Sequence, residues 1–575
     1  MTGTRAAFRA IWVCDFEFTG GDGERPRPVC MVARECRTGR EIRLWREDLG
    51  KLAAAPFDTG PDALFVAYFA SAEMGCFLAL GWRPPVNILD LFAEHRVATN
   101  GLDLLCGNSL TGALALRGLA SLDMARKDAM HVRVLRQDTW SASEAAEILE
   151  CCAADVAATI RLLGRMAGAT DWPRALLRGR YMLALARMEW NGIPIDLPVL
   201  QELRRHWERL KTELIEAVDA DYGVYQNTVF KSELFAAWLN RAGIHWPRHP
   251  SGALMLDSDT FKDQARAYPA VNALHELRST TAKLRLTGLT VGRDGRNRCL
   301  LSPFASITGR NQPSNTRFVF GPAVWMRGLI RPPPGYGVAY IDFSAQEIAI
   351  AAALSGDARM AEDYATGDPH LGFAKAARLA PSDATKASHP RLRARCKTVC
   401  LGVNYGMEAH GLAARLGITP AEAHELLRLH RQTYRRFWQW SEDTVSSAML
   451  LGRMGATFGW QVQLGVGSNA RSLMNWPMQS NGAEMLRIAC IAATEAGIEV
   501  CAPVHDAMLI AAPLDRLEDD VATVRSLMGR AGAAVTGGLA VRTDAELVRW
   551  PDRYMDERGA VMWRRVTGLL EELCV

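Results

Sequence analysis

The chain has 575 residues, 49% of them hydrophobic and 23% charged, which is the balance of a folded protein and excludes a disordered one. Its net charge of +4 is small for this length, so any nucleic-acid contact has to come from local arginine clusters. The 13 cysteines form no CxxC pair and show no zinc-ligand spacing. No leader pattern and no membrane-length apolar stretch is present, so we expect a cytoplasmic protein with no membrane association.

The first part of the chain alternates short apolar runs with helical patterns. The runs Ala10 to Phe18, Ala63 to Phe69 and Val86 to Leu91 predict strands, and Ser143 to Met166 predicts a helix. This alternation indicates a compact α/β unit. From Tyr181 to about Leu289 the pattern is mostly helical and rich in arginine, which predicts a separate helical domain.

The second part contains two strand signals that carry acidic residues. Gly337 to Phe343 predicts a strand with Asp342 near its end, and IEVCAPVHDAMLIAAP predicts two strands joined by a turn at His505-Asp506. Between them helical periodicity dominates from Glu347 to Met449, and the last 25 residues, from Pro551, predict one more amphipathic helix.

The segment RARCKTVCLGVNYG places Arg393, Lys397, Leu401 and Tyr405 four residues apart, so they share one face of a predicted helix. Two cations, an apolar side chain and a phenol suit a nucleoside triphosphate, since charge meets the phosphates and flat groups meet the base. The alternative interpretation is an amphipathic helix with a solvated cationic edge.

Asp342 and Asp506 stand in apolar surroundings, where charged groups seldom occur without a partner. If their strands are neighbours in one sheet, both carboxylates reach one point, where two magnesium ions about 4 Å apart would support phosphoryl transfer. For either aspartate alone, a turn or capping role is the competing interpretation.

These residues resemble the motifs of a known family. Asp342-Phe343-Ser344, with Glu347 five places after the aspartate, resembles motif A of the family A (Pol I type) DNA polymerases. Arg393, Lys397 and Tyr405-Gly406 look like its motif B, and His505-Asp506 looks like its motif C.

Shorter matches extend the resemblance from about Tyr181 onward. They are the thumb-like ARMEWNGIPID, the TGR element Thr308-Gly309-Arg310, the DxH element Asp368-Pro369-His370, and Arg471, Asn475, Pro477 and Gln479 of an RxxxNxPxQ segment.

The resemblance implies a role for each matched residue. Asp342 and Asp506 would be metal ligands, together with the Phe343 carbonyl. The catalytic residues would be Asp342, Asp506 and Lys397. The dNTP would contact Arg393, Lys397, Leu401, Tyr405, His370 and Glu347. Primer-template DNA would contact Arg310, Arg471, Asn475, Gln479 and His505.

A second acidic site is predicted at the N-terminus. Asp15 and Glu17 alternate along an apolar strand, so both carboxylates project to one face and repel unless a cation lies between them. With Glu73 and Asp155 they resemble the metal ligands of a DEDD-type 3'-5' exonuclease, whose substrate is a single-stranded 3'-end. Asp90 is more simply a helix N-cap.

Several positions depart from the family patterns. Leu401 replaces an aromatic residue, and Ala507 replaces an accessory glutamate. Glu73 replaces an aspartate, and Cys151 stands where the exonuclease motif has tyrosine. The alternatives left open are a polymerase with a degenerate exonuclease domain, a nuclease with a non-polymerising DNA-binding body, and a single-subunit RNA polymerase-like enzyme.

The resemblance implies an α/β multidomain fold in which an RNase H-like exonuclease domain precedes a right-hand polymerase with an antiparallel palm sheet. The expected segments are 1–168 exonuclease, 176–290 thumb, 291–354 palm, 355–449 fingers, 450–550 palm and 551–575 a C-terminal helical extension. Two Mg²⁺ ions are expected at each active site, with Mn²⁺ able to substitute. A 5'-nuclease domain is not expected, and the sequence identifies no processivity partner.

Overall fold

The computed structural model describes residues 8–574 apart from 121–123, 284–285, 322 and 466. The chain divides into two compact units. The first comprises Met1–Gly192, Leu300–Gln312 and Ala339–Leu547, and the second comprises Ile193–Cys299, Pro313–Val338 and Val548–Val575. Across the described residues, no helix has both the length and the apolar character that crossing a membrane requires.

The N-terminal part of the first unit is built on one mixed sheet. Its elements are β1 (Ala10–Thr19), β2 (Arg27–Glu35), β3 (Glu41–Trp45), α1 (Arg46–Leu49), β4 (Ala63–Ala67), α2 (Ser71–Leu80), β5 (Ile88–Asp90), α3 (Leu91–Thr99), α4 (Leu110–Leu116), α5 (Met124–Arg136), α6 (Ala142–Met166) and α7 (Trp172–Asn191). The strand order is β3-β2-β1-β4-β5, with β1 antiparallel to β2 and parallel to β4.

Helix α6 covers this sheet, and its start follows from local chemistry. Ser141 caps the helix in a capping box with Glu144: each side chain accepts a hydrogen bond from the other residue's backbone N–H. The capping box thus satisfies two N–H groups that have no partner within the helix. Ile148, Val156 and Leu162 then pack on sheet residues such as Val13, at spacings that keep one helix face apolar. The sheet therefore presents Asp15 and Glu17 beside a firmly anchored helix.

The second unit consists mainly of helices. Its elements are β6 (Ile193–Pro194), α8 (Leu197–Asp219), β7 (Tyr225–Gln226), β8 (Val229–Phe230), α9 (Ser232–Ala242), α10 (Ser258–Ala267), α11 (Asn272–Lys283), β9 (Arg296–Asn297) and, from the C-terminal segment, α22 (Ala560–Cys574). Asp196 caps α8 by accepting from the Val199 N–H.

The remaining elements carry the predicted polymerase motifs. They are β10 (Tyr336–Phe343), α12 (Gln346–Ser355), α13 (Ala358–Ala365), α14 (Pro369–Ala376), α15 (Pro390–Asn404), α16 (Ala409–Leu416), α17 (Pro420–Thr433), α18 (Arg435–Leu451), β11 (Arg453–Gly455), β12 (Gln461–Gln463), α19 (Ala470–Met474), α20 (Trp476–Glu495), β13 (Glu499–Val504), β14 (Ala507–Pro513), α21 (Leu517–Thr536) and β15 (Thr543–Arg549). Four strands form a sheet in the order β13-β14-β10-β15, with β13 antiparallel to β14.

The sequence predictions hold for the strands that carry the acidic residues. The predicted strand over 337–343 is β10, and the predicted pair of strands around His505-Asp506 is β13 and β14. The prediction for the last 25 residues was wrong in extent, because α22 begins only at Ala560. The long helix predicted from Ser143 begins at Ala142 with Ser141 as its cap.

The six predicted segments stay predictions, since a division into two units does not separate them. The first unit does include α7 together with the N-terminal part, although the predicted thumb contains most of that helix. A buried ion pair is one of the contacts that join α7 to the N-terminal part. Arg178 of α7 donates from Nε and Nη2 to the two carboxylate oxygens of Glu94 in α3, at 2.6 and 2.9 Å.

We expect Arg178→Met to lower the free energy of unfolding by about 3–5 kcal/mol, because it leaves the Glu94 carboxylate buried without its cation. Urea denaturation measures this change. Arg180→Met is the matched control: Arg180 pairs with Glu495 at the surface, with side-chain exposures of 48% and 42%, so its loss should cost less than about 1 kcal/mol. Equal costs for the two substitutions would contradict the role given to the buried pair.

Candidate active site

The sheet brings the two predicted metal-binding aspartates together. Asp342 lies near the end of β10, and Asp506 lies in the turn between β13 and β14. Strand β14 is the neighbour of β10 in the sheet. The backbone N–H of Phe343 donates to the Asp506 carbonyl at 3.4 Å, which ties the turn to the strand end. Both aspartates face one cleft of about 650 Å³.

The electrostatics of the cleft favour a bound cation. Burial raises the pKa of Asp342 to about 7, the negative charges of Asp506 and Asp544 add to this shift, and Lys397 opposes it. Such carboxylates become fully ionised at neutral pH when a cation joins them. Oxygen donors of this kind are the ligands that Mg²⁺ prefers, so the donor set fits that metal.

Ten of the predicted residues line this cleft. They are Arg310, Asp342, Phe343, Glu347, His370, Arg393, Lys397, Leu401, Tyr405 and Asp506. The remaining four, Arg471, Asn475, Gln479 and His505, are not among its lining residues. Gln479 nevertheless connects to the cleft, because its Nε2 donates to the Tyr405 hydroxyl at 2.9 Å.

Helix α15 forms the cationic side of the cleft. Arg393, Lys397 and Leu401 follow one another at one-turn intervals along it. The helix ends at Asn404, so Tyr405 is its C-cap and projects from the helix end, with 52% of its surface exposed. The four residues predicted to share one helix face therefore all line the cleft. The last of them, Tyr405, is the C-cap residue of the helix and not part of its body.

A second helix supports the cationic side. Asp368 caps α14 by accepting from the Leu371 N–H at 3.2 Å, and its other oxygen pairs with Arg393. Burial lowers the pKa of His370 to about 4, and Arg393 and Lys397 contribute to this although Asp368 opposes it. His370 is therefore neutral at pH 7, and its Nδ1 is buried with no hydrogen-bond partner among the described residues.

Glu347, in the first turn of α12, lies inside the cleft opposite Arg310. Its Oε1 is 3.9 Å from Arg310 Nη2, and only 17% of its side chain is exposed. Burial raises the pKa of Glu347, while Arg310 acts to lower it. A largely buried acid thus lines the same cleft as the two aspartates.

The structure adds cleft residues to which the sequence analysis gave no role. Ser344, Arg415, Arg542 and Asp544 also line the cleft, and Ser344 Oγ donates to Asp544 Oδ2 at 2.6 Å. Asp544 belongs to β15, a strand that the sequence analysis did not predict. Its segment TDAELVR alternates too weakly in polarity to have signalled a sheet strand.

The loop that carries Arg310 is held by the N-terminal part of the chain. The Ile307 carbonyl accepts from Asn100 Nδ2 at 2.7 Å and from the indole N–H groups of Trp460 and Trp476 at 3.2 and 3.1 Å. Asn100 Nδ2 also donates to the Gln461 carbonyl at 2.8 Å. Asn100, which follows α3, thereby joins the loop to β12.

The next residue confirms how close this approach is. Gly101 has φ +89°, and a Cβ there would lie 2.2 Å from the Gln463 carbonyl oxygen. Only glycine fits both the backbone angle and the space. The end of α3 is therefore packed directly against the strand beside the Arg310 loop.

The predicted N-terminal site is a compact acidic cluster of three residues. Asp15 and Glu17 of β1 and Asp155 of α6 offer carboxylate oxygens that all lie within 4.8 Å of one another. Burial raises the pKa of Glu17 to about 7 and that of Asp15 well above its usual value, and the charge of Asp155 adds to both shifts. The donor set again fits a divalent cation.

Glu73, the fourth predicted metal ligand, and Asp90, the predicted N-cap, are both outside the three-residue group. Glu73 in α2 is buried but does not belong to the three-residue group, and burial followed by the charge of Asp15 raises its pKa well above the usual value. Asp90 caps α3, as predicted, by accepting from the Ala93 N–H at 2.6 Å.

A lysine that the sequence reasoning missed contacts this cluster. Lys127 of α5 pairs with Asp155 through Nζ and Oδ2. Burial acts to lower the pKa of Lys127, but Asp155, Asp15 and Glu17 outweigh it, so that pKa is raised. Lys127 is one of only nine lysines among 67 basic residues, which was the available signal.

Comparison with known proteins agrees with this geometry. The fold and the cleft define an α/β protein with paired aspartates facing a cationic helix, and residues 315–548 match a family described as DNA polymerase family A. This match confirms, for residues 315–548, the family that the motifs predict.

Individual relatives are distant. The chain is 26% identical over 379 residues to a thermostable DNA polymerase I of Thermus filiformis, and 27% identical over 413 residues to the DNA polymerase I of Chloroflexus aurantiacus. These matches cover 60% and 65% of this chain but only 44% and 43% of the relatives. The chain thus spans less than half the length of the curated relatives it matches.

A solved structure extends the likeness in fold. The polymerase domain of Pol1 from M. smegmatis, in complex with a DNA primer-template and dNTP, matches with a TM-score of 0.71 at 20% identity. The match covers 94% of this chain and 95% of that one.

We expect Asn100→Asp to loosen the Arg310 loop, because a carboxylate oxygen cannot donate to the Ile307 and Gln461 carbonyls. Amide hydrogen exchange in residues 305–311 should accelerate about 5- to 150-fold, which corresponds to about 1–3 kcal/mol for unsatisfied buried groups.

Asn87→Asp is the matched control for this experiment. Asn87 Nδ2 also donates to two carbonyls, those of Pro61 and Ala63, and neither carbonyl belongs to the Arg310 loop. Unchanged exchange in the loop of Asn100→Asp, or equal acceleration in Asn87→Asp, would show that Asn100 does not hold this loop.

Proposed function

We propose that the chain is a DNA-templated DNA polymerase that adds dNTPs to the 3'-end of a primer. One observation carries the proposal: Asp342 and Asp506 face the cationic row of α15 across one cleft. A nucleotide bound there would have its phosphates between carboxylates and cations. The Pol1 structure, which holds primer-template and dNTP, supports DNA and dNTPs as ligands of this chain.

Asp342 and Asp506, with the Phe343 carbonyl, would hold two Mg²⁺ ions. When bound, such ions activate the primer 3'-hydroxyl and neutralise charge on the triphosphate. Mn²⁺ would substitute because it accepts the same oxygen donors.

The side chains of α14 and α15 would orient the triphosphate. Arg393 presents a planar fork suited to phosphate oxygens, and its pairing with Asp368 fixes its direction. Neutral His370 can donate one hydrogen bond to an outer phosphate. The Lys397 ammonium can neutralise the triphosphate and donate a proton to the departing pyrophosphate, which a guanidinium does poorly.

Glu347 supports DNA over RNA synthesis. Its half-enclosed carboxylate beside Arg310 would crowd a 2'-hydroxyl and so exclude ribonucleotides. Leu401 replaces an aromatic residue at the sugar, which keeps a single-subunit RNA polymerase-like enzyme as the second candidate. On the template side, Tyr405 would stack near the base, and Arg471, Asn475, Gln479 and His505 would contact the duplex.

We propose further that the N-terminal part is a 3'-5' exonuclease domain acting on single-stranded 3'-ends. The cluster of Asp15, Glu17 and Asp155 supports this, since paired metal ions held by carboxylates cut phosphodiesters. Glu73 outside the cluster and Cys151 in place of tyrosine support the alternative of a degenerate domain.

Primer extension tests the polymerase proposal. Asp506→Asn should lower the rate of dNTP addition about 10³-fold or more, because one carboxylate of the paired site is lost. The control is Asp515→Asn, an exposed aspartate just beyond β14, which should extend primers normally. Extension by Asp506→Asn at the parent rate would refute the assignment, and a preference for rNTPs would favour the RNA polymerase-like candidate.

Degradation of a labelled, unpaired 3'-end tests the exonuclease proposal. We expect the parent protein to shorten this end and Asp15→Asn to lose that activity while still extending primers, since Asp15 lies in the separate acidic cluster. Asp62→Asn, an exposed aspartate before β4, serves as the control. No shortening by the parent protein would establish the degenerate alternative.

A further inference from the structure

Lys127 is presented to the acidic cluster by a helix that is anchored in the core. Met130 and Val134 of α5 are 5% and 1% exposed and belong to the core of the N-terminal sheet. They lie three and seven residues after Lys127, so all three share one helix face. Lys127 therefore projects inward with the buried face of α5.

A second, partly exposed ion pair links this helix to α6. Arg133 of α5, next to the buried Val134, pairs with Glu147 of α6 at 2.9 Å. Helix α6 also provides Asp155, the direct partner of Lys127. The ammonium and the carboxylate thus belong to two helices that are joined independently of their own ion pair.

The cluster needs a positive charge, and Lys127 supplies one. Three carboxylates with oxygens within 4.8 Å of one another repel strongly in a half-buried site. Asp155 has 9% and Lys127 34% of the side chain exposed, so water screens this pair only in part. An ammonium at this point occupies the region that a divalent cation would share with the same oxygens.

We propose that the Lys127 ammonium is the resident counter-ion of the Asp15, Glu17 and Asp155 cluster and competes with divalent cations for it. The proposal rests on the acidic cluster being the metal site of the proposed exonuclease. It identifies Lys127 as the residue that sets the metal affinity of that site: the metal binds only when the ammonium withdraws from Asp155.

Titration of the full chain with Mn²⁺, followed by the electron paramagnetic resonance signal of the free ion, tests the proposal. The two paired aspartates of the cleft are removed with Asp342→Asn and Asp506→Asn, so that the difference in binding between Lys127 variants reports the N-terminal cluster. In this background Lys127→Gln should bind Mn²⁺ at least about tenfold more tightly, because a competing unit charge is gone. Lys127→Arg should resemble the parent.

A control variant and a second measurement distinguish loss of the Lys127 charge from general destabilisation of the fold. Lys51→Gln, which removes a surface lysine that pairs with Asp48 in the same part of the chain, should leave Mn²⁺ affinity unchanged. Lys127→Gln should have a lower thermal unfolding midpoint than the parent in EDTA, and Mn²⁺ should restore it. Lys127→Met, which keeps the stem length, repeats both measurements if glutamine disturbs α5.

Equal or weaker Mn²⁺ affinity in both Lys127→Gln and Lys127→Met would overturn the proposal. Cleavage of unpaired 3'-ends is measured separately. If Mn²⁺ affinity rises but no variant cuts DNA, the counter-ion role stands and the exonuclease proposal fails. If DNA is cut while Mn²⁺ affinity does not respond to Lys127, the exonuclease proposal stands and the counter-ion role fails.

Discussion

Carboxylates of like charge have to be held side by side in this protein, and much of the surrounding structure meets that demand. Two unit charges 4 Å apart repel by about 4 kcal/mol at the effective dielectric constant of a protein surface. A flexible loop would relieve such repulsion by moving the charges apart. Asp342 and Asp506 cannot separate, because β10 and the β13–β14 turn belong to one sheet. A cation that binds between the two carboxylates relieves this repulsion, so the site favours cation binding.

The backbone next to both aspartates is also constrained. Ala345, three residues after Asp342, has φ +51°, and His505, next to Asp506, has φ +59°. Residues other than glycine occupy this left-handed region at a cost of about 1–2 kcal/mol. The hydrogen bond from Phe343 to the Asp506 carbonyl and that from Ser344 N–H to the Arg542 carbonyl hold these conformations in place. The geometry of the carboxylates is thus fixed by the main chain on both sides.

The sequence predicted the parts of the site in which local pattern and chemistry coincide. Asp342 could be found because it lies near the end of an apolar strand, and Asp506 because it lies in a turn between two apolar strands. The α15 row could be found because its residues recur at helical spacing. Asp544 could not, since β15 is half-exposed and its polarity does not alternate clearly. Lys127 stands out in the sequence only as one of few lysines, and its partners could not be found, because they lie in β1 and α6 and only the tertiary fold brings them together. The predictions failed where an interaction depends on packing between distant elements.

The N-terminal part has a structural role that does not depend on nuclease chemistry. Asn100 and Arg96, at the end of α3, donate to the carbonyls of Ile307 and Phe304, in the segment that leads to Arg310. Glu94, in the same helix, forms the buried pair with Arg178. Even if cysteine in place of tyrosine at position 151 abolished cleavage of DNA, these hydrogen bonds would still hold the segment that carries Arg310. These contacts give the N-terminal part a role at the cleft whatever the state of its acidic cluster, and only that cluster, with Lys127 inside it, bears on whether this part is also a nuclease.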